Sequence, residues 1–263
     1  MPLLRHVATE PAGELGEGEL PGLLILLHGS GDSEHGLLPL GVSLAPRNYR
    51  VASLRAPLPA GWGPGSYVWF EGMSRAPEPE ALASTLGKSC DALFEFILAA
   101  PELLGTDPSK VVVLGFSQGA TTVWTALMSK WPRDGLIRAA VAISGRLMPE
   151  LLRPGTPLNE RLAPCSQTEG LPLFASHGAR DTMTPVSIGR ENRDIYVQYS
   201  RGGSESEGAS AGEGLSLGAA GAGAALLTAG GGRSPFYTEY ESDGHEISEQ
   251  CHGDVAKFLT RWA

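Results

Sequence analysis

Six short segments of this chain read as strands, and the stretches between them are too long for hairpins and carry helical spacing. Gly22–Leu27 (Gly-Leu-Leu-Ile-Leu-Leu) has no polar position at all, the pattern of a strand buried on both faces. Tyr49–Leu54, Lys110–Leu114, Arg138–Ile143, Leu171–Ser176 and Phe236–Glu241 follow as further strands. Helices are expected over Gly36–Ala45, Pro79–Ala100, Thr121–Lys130, Val186–Tyr199 and Ser248–Trp262. In the second of these Ala92, Leu93, Phe96 and Ile97 share one face, and in the last Val255, Phe258, Leu259 and Trp262 do. Gly189 is expected to interrupt the fourth. Strands alternating with helices predict an α/β fold: one mostly parallel sheet with helices on both faces.

Two segments fall outside that rhythm. Residues 1–19, punctuated by Gly, Glu and Pro, read as a loose lead-in with room for one edge strand, ahead of a single domain over 20–263. Within that domain, residues 201–233 hold 11 of the chain's 35 glycines, with Ala and Ser filling much of the rest. Such a composition buries too little side chain to offset its chain entropy, so it reads as a flexible surface insertion. An error in the gene model is the alternative.

A chain of 263 residues, 42% hydrophobic and 19% charged, has the make-up of an ordinary globular protein. Its net charge of −9 and lack of a Lys/Arg cluster exclude a nucleic-acid footprint. No apolar run approaches the ~18 residues of a membrane-spanning helix, so no stable membrane insertion is expected. The N-terminus lacks the charged-then-apolar pattern of a secretion signal. Cys90, Cys165 and Cys251 are few, odd in number and unpaired in spacing, which fits a reducing compartment. The expectation is cytoplasmic, with an organelle stroma as the second choice.

Candidate chemistry starts at Val111-Val-Val-Leu-Gly-Phe-Ser-Gln-Gly-Ala120. An apolar β-branched run breaks into Gly-x-Ser-x-Gly and opens an Ala/Thr/Leu-rich helix, the grammar of a nucleophile elbow with Ser117 at its apex. A serine hydroxyl needs a general base and a group that orients the base. In elbow-bearing folds the chain order is Ser, then Asp or Glu, then His, each at the end of a strand. His6, His28 and His35 precede the serine and His252 lies inside the last helix, whereas His245 follows the last strand and is the base. Asp181 follows the fifth strand, just beyond His177, and completes the order as the acid; a helix-capping role is its bland alternative. Asp243 competes for the acid's role, but from the same turn, two residues before His245, it would struggle to reach the imidazole Nδ1. Two backbone N–H groups are needed for the oxyanion: that of Gln118, after the nucleophile, and that of Ser30 in His28-Gly-Ser-Gly-Asp-Ser after the first strand. His28 then braces this loop through hydrogen bonds.

His28-Gly-Ser-Gly-Asp, Arg55-Ala-Pro, Val68-Trp-Phe-Glu, Gly115-Phe-Ser-Gln-Gly, His177-Gly-Ala-Arg-Asp-Thr-Met-Thr-Pro and Gly244-His occur in this order. From about Gly22 to Trp262, outside the insertion, the chain thereby resembles the phospholipase/carboxylesterase family, which includes acyl-protein thioesterases and lysophospholipase-like proteins. The resemblance implies an α/β-hydrolase without a large cap domain and a Ser117–Asp181–His245 triad. It further implies hydrolysis of esters or thioesters without a metal or organic cofactor. Thioesterase members commonly carry Leu where Ser30 stands, and the Gly-Ser-Gly-Asp-Ser version is similar to the lysophospholipase-like branch. Large apolar residues in two loops (Trp62, Trp69 and Phe70 in one; Leu147, Met148 and Leu151 in the other) are candidates for an apolar substrate rim. Three readings follow: a carboxylesterase for small or medium acyl esters, an acyl-protein thioesterase or lysophospholipase, or a hydrolase-like ligand-binding scaffold. The substrate would be a small ester, a lysolipid or an acylated protein.

Overall fold

A computed structural model describes residues 3–72, 80–132, 134–163, 170–201 and 236–263. In chain order the elements are β1 (His6–Ala8), β2 (Gly22–Leu27), α1 (Leu38–Leu44), β3 (Tyr49–Leu54), β4 (Leu58–Pro59), β5 (Tyr67–Val68) and α2 (Glu80–Leu104). There follow β6 (Val111–Phe116), α3 (Gln118–Met128), β7 (Ala139–Ile143), α4 (Pro149–Leu152), a 3-10 turn at Asn159–Arg161, β8 (Leu173–Gly178), α5 (Val186–Arg201), β9 (Phe236–Tyr240) and α6 (Glu249–Trp262).

Seven strands form one sheet in the order β1-β3-β2-β6-β7-β8-β9. Every pairing is parallel except β1 with β3, where His6 faces Leu54. The uninterrupted apolar strands are explained by two cores, one on each face. Leu23, Ile25, Leu27, Val111 and Val113 point to the side covered by α2, α3 and α5, where Phe96, Trp124 and Tyr196 meet them. Their neighbours Leu24, Leu26, Val112 and Leu114 point to the opposite side, against α1 and α6 through Leu44, Val255, Phe258 and Leu259. Alternation along each strand thus feeds two layers of helices, and no polar face is left over. The fold is that of an α/β-hydrolase.

Most differences from the expected elements lie at boundaries. The helix after the elbow begins at Gln118 rather than Thr121, and α2 runs past Pro101 to Leu104. Contrary to expectation, Gly189 does not interrupt α5: a Cβ there would come within 2.6 Å of the His177 Nδ1, so the glycine admits that ring against the helix. The lead-in contributes β1 as its edge strand. The short hairpin β4–β5, with Leu58 opposite Val68, was not legible in the sequence because it pairs through two residues on each side. Cys90 and Cys251 are buried free thiols, and burial pushes the Cys90 thiol up to about 12. Cys165 and the Gly/Ala/Ser stretch from 202 onward lie outside the described residues, as does the first residue of the expected helix, Pro79. Among the described residues no helix is long and apolar enough to cross a membrane.

Candidate active site

The C-terminal ends of β2, β6, β8 and β9 lie along one edge of the sheet, and each runs into a loop with a chemically distinctive residue. After β6 the chain reverses at Ser117, whose φ of 55° and ψ of −116° lie outside the usual regions for a side-chain-bearing residue. Its N–H donates to Ile143 O at 2.9 Å, and its carbonyl accepts the Thr121 N–H at 3.0 Å. The turn fits only because both flanking positions are glycine. A Cβ on Gly115 would lie 2.5 Å from the Gly119 carbonyl carbon, and one on Gly119 would lie 2.1 Å from Leu27 O. Gly119→Ala therefore drives a methyl into the backbone of β2, and is expected to cost on the order of 3 kcal/mol. Urea denaturation measures this loss; a change below about 1 kcal/mol would mean that helix and strand can separate at this point.

Asp181 stands three residues beyond β8, in a loop that its own side chain builds: Oδ1 accepts the N–H groups of Met183 at 2.9 Å and Thr184 at 2.8 Å. Its other oxygen, Oδ2, meets His245 Nδ1 at 2.7 Å, and His245 Nε2 meets Ser117 Oγ at 2.7 Å. A carboxylate can only accept, so Nδ1 carries the proton and Nε2 is left to accept from the serine. The serine, the histidine and the aspartate thus form one unbroken hydrogen-bonded line. The Asp181 side chain is fully shielded, while the His245 ring keeps 18% of its surface open and lies against Phe116 at 5.2 Å.

The Asp181 and His245 loops reach each other because they are stitched together by backbone. Ala179 N–H donates to Tyr240 O and Arg180 N–H to Asp243 O, each at 2.9 Å. Gly178 lies so close to this second loop that a Cβ would stand 2.2 Å from Gly244 O. Asp243, the rival acid, contributes that backbone carbonyl while its carboxylate takes the Ser242 hydroxyl at 3.2 Å. His177 braces the acid's loop from below: its Nε2–H donates to Thr184 O at 2.7 Å. Burial holds the His177 imidazole below its ordinary pKa, so it is neutral at neutral pH. His252 lies on α6 and meets Ser43 Oγ at 2.9 Å, remote from this line.

The two backbone donors expected for an oxyanion lie in the segments that follow β6 and β2. Gln118 is the first residue of α3, where N–H groups have no partner within the helix. Its side chain is fully used elsewhere: Oε1 accepts the Trp69 N–H at 2.7 Å and Nε2 donates to Phe70 O at 2.9 Å. Ser30 lies in the loop after β2, beside Gly29, whose Cβ position would be 3.4 Å from the Ser117 Cβ. His28 braces this loop as expected, donating from Nδ1 to Gly29 O at 2.7 Å and accepting the Ala56 N–H on Nε2 at 3.1 Å. These partners require a neutral ring, and burial lowers the His28 pKa in the same sense.

The expected apolar rim needs correction. Trp69 is wholly buried, its indole N–H donating to His28 O at 2.9 Å, so it underlies the loop that carries Ser30 and offers no surface to a ligand. Met148 and Leu147 are likewise core residues: the loop after β7 is pulled inward by Asn192, whose Oδ1 accepts the Leu147 N–H at 2.8 Å. Leu151 and Phe70 are buried with them. Trp62 differs. It is 72% exposed on the loop between β4 and β5, over Gly31, which leaves it as the one member of that set open to a ligand. Met183, 66% exposed two residues after Asp181, is an apolar surface that sequence reasoning passed over. Asn192 and Ser89, which holds the Trp69 carbonyl, were also missed. A polar residue on the apolar face of a helix was the available signal.

The arrangement has counterparts among known proteins. A sequence model of the phospholipase/carboxylesterase family matches residues 14–206. Acyl-protein thioesterase 1 of Candida albicans is 26% identical over 250 residues, covering 90% of each chain. Among solved structures, esterase PE8 superposes with a TM-score of 0.71 at 17% identity, covering 99% of this chain and 100% of its own. Zea mays acyl-protein thioesterase 2 gives 0.66 at 20% identity, covering 98% of both. At those identities the structural likenesses establish the fold.

Proposed function

The chain belongs to the phospholipase/carboxylesterase family, and on that premise we propose that it hydrolyses carboxylic esters or thioesters through an acyl-enzyme on Ser117. The observation that carries this reading is the line Ser117 Oγ–His245 Nε2, His245 Nδ1–Asp181 Oδ2, with 2.7 Å at both joints. His245 takes the serine proton as Oγ attacks the acyl carbon, and Asp181 holds the ring and its tautomer. The oxyanion that forms is received by the N–H groups of Gln118 and Ser30. His245 then passes the proton to the leaving alcohol or thiol. A water molecule, deprotonated by the same imidazole, attacks the acyl-enzyme and releases the acid. Burial leaves His28 and His177 neutral and engaged in structural hydrogen bonds, so His245 is the imidazole free to cycle a proton. Residues 20–263 are taken as one catalytic domain, with the expected 201–233 stretch, whose first residue closes α5, as an insertion ahead of β9.

The acyl donors named by the relatives, together with exposed Trp62 and Met183, support an acylated substrate with an apolar group: a small ester, a lysolipid or an acylated protein. A fluorophosphonate probe should add to the protein one-to-one, and peptide mass mapping should place the adduct on Ser117. A p-nitrophenyl ester series from C2 to C16, run beside a palmitoylated peptide, then ranks the acyl groups. Stoichiometric labelling elsewhere, with no ester turnover, would sink the reading and favour a ligand-binding scaffold.

A further inference from the structure

The Arg55-Ala-Pro motif has no place in the triad, yet its arginine reaches back from the end of β3 to the loop that carries Ser30. Arg55 Nε donates to Glu34 Oε2 at 2.7 Å, and a terminal guanidinium nitrogen donates to Glu34 Oε1. This two-toothed pair closes on a carboxylate side chain that is only 6% exposed. The same guanidinium lies 4.5 Å over the Tyr67 ring. Tyr67 in turn grips the loop through its backbone: Gly31 N–H donates to Tyr67 O at 2.8 Å, and Tyr67 N–H donates to Asp32 O at 2.9 Å. Ser66 Oγ–H adds a bond to Gly31 O at 2.9 Å, and Asp32 N–H donates to Gly29 O at 3.3 Å. The peptide groups around Ser30 are therefore engaged, while its own N–H has no hydrogen-bond partner among the described residues.

A donor left unpaired in a loop flanked by Gly29 and Gly31 will drift unless something outside the loop holds it. Backbone freedom at two glycines is large, and an oxyanion donor must sit about 2.7–3.1 Å from where the charge develops. Extending the hydrolase reading above, we propose that the Arg55–Glu34 pair, stacked on Tyr67, is the positioning device that aims the Ser30 N–H at the oxyanion. One guanidinium closes a ring from Glu34 through Arg55 and Tyr67 to Gly31 and Asp32, and the donor lies immediately beside that ring. Arg55 holds the Glu34 carboxyl down to about 2, chiefly through the hydrogen bond itself. Because this is below the ordinary carboxylate value, the pair's contribution is present above that value and lost as pH falls toward 2. Glu34 is therefore ionised at neutral pH, where it keeps the pair closed, and His35 Nε2 lies 3.6 Å from its Oε1.

Four variants test the device: Arg55→Gln, Glu34→Gln, their combination, and Arg55→Lys. Each is measured for kcat and KM on an ester that the wild type cleaves, for inhibition by a trifluoromethyl ketone, and for Tm. Phosphonate titration counts active sites. The ketone forms a tetrahedral adduct on Ser117 and so reports the oxyanion donors directly. Arg55→Gln and Glu34→Gln should each lower kcat per active site roughly tenfold to hundredfold, with KM nearly unchanged and ketone affinity reduced by a similar factor. The double variant should be no worse than either single one, because both remove the same brace. Arg55→Lys should recover only part, since an ammonium supplies neither the two-toothed contact nor the stack. Should Arg55→Gln not fold, the isosteric Glu34→Gln carries the same readouts. Unchanged kcat and ketone affinity in folded variants, with or without a fall in Tm, would overturn the proposal and leave the pair a plain scaffold brace. A wild type that neither cleaves esters nor labels at Ser117 would instead overturn the hydrolase reading, and this proposal with it.

Discussion

Ser117→Ala should abolish ester turnover while leaving the fold in place. The expected fall in kcat is on the order of 10⁴-fold or more, since removal of the nucleophile leaves only the oxyanion donors and binding to assist water. The fold should survive because Ser117 Oγ has His245 Nε2 as its hydrogen-bond partner, a bond of the site and not of the core. The unusual φ of 55° is met equally by alanine, so the elbow keeps its shape. Steady-state assays on p-nitrophenyl butyrate, with circular dichroism and a melting curve on the same sample, check both halves. Wild-type hydrolysis by a correctly folded variant would remove Ser117 from the chemistry.

Asp181→Asn should cost nearly as much, for a reason that the hydrogen bonds spell out. Asp181 Oδ1 is held by two backbone donors, Met183 N–H and Thr184 N–H. An asparagine would have to place its carbonyl oxygen there, because its amide group cannot accept from them. Its NH₂ would then face His245 Nδ1 and force that nitrogen to accept. The ring proton moves to Nε2, so the imidazole points a proton at Ser117 Oγ where it must receive one. A fall of about 10⁴-fold in kcat is expected, as for aspartate-to-asparagine changes in such triads generally. Asp181→Glu, with the charge kept but displaced by one methylene, should retain more activity than Asn only if the loop yields. ¹H NMR of the imidazole N–H protons would report the switched tautomer. A variant with near-wild-type kcat and Nδ1 still protonated would refute this account of the acid.

Much of this molecule was legible in its residues, for identifiable reasons. Gly22–Leu27 and Tyr49–Leu54 were delimited correctly because strands buried on both faces leave an apolar signature bounded by turn residues. The elbow was legible because strand, Gly-x-Ser-x-Gly and helix are contiguous in the chain. His245 and Asp181 followed from chain order and strand ends. Side-chain depth was not legible. Trp69, Leu147 and Met148 look like rim residues by size and loop position, but hydrogen bonds with Gln118, Ser89 and Asn192 draw the Trp69 and Leu147 backbones inward, and Met148 is buried beside Leu147. Gly189 looked like a break in a helix because only the folded state shows the His177 ring lying against it.

The division has one physical cause. Signals carried by neighbours in sequence, such as periodicity, turn chemistry and the elbow's spacing, are local and survive in a string of letters. They were enough to determine the α/β class and to point to Ser117, Asp181 and His245, which the fold brings into one hydrogen-bonded line. Distance, depth and bracing arise from contacts between residues far apart in the chain. Only the tertiary structure could bring Asp181 within 2.7 Å of a histidine 64 residues further along the chain, bury Trp69 beneath the loop that follows β2, and close Arg55 onto Glu34 beside Ser30.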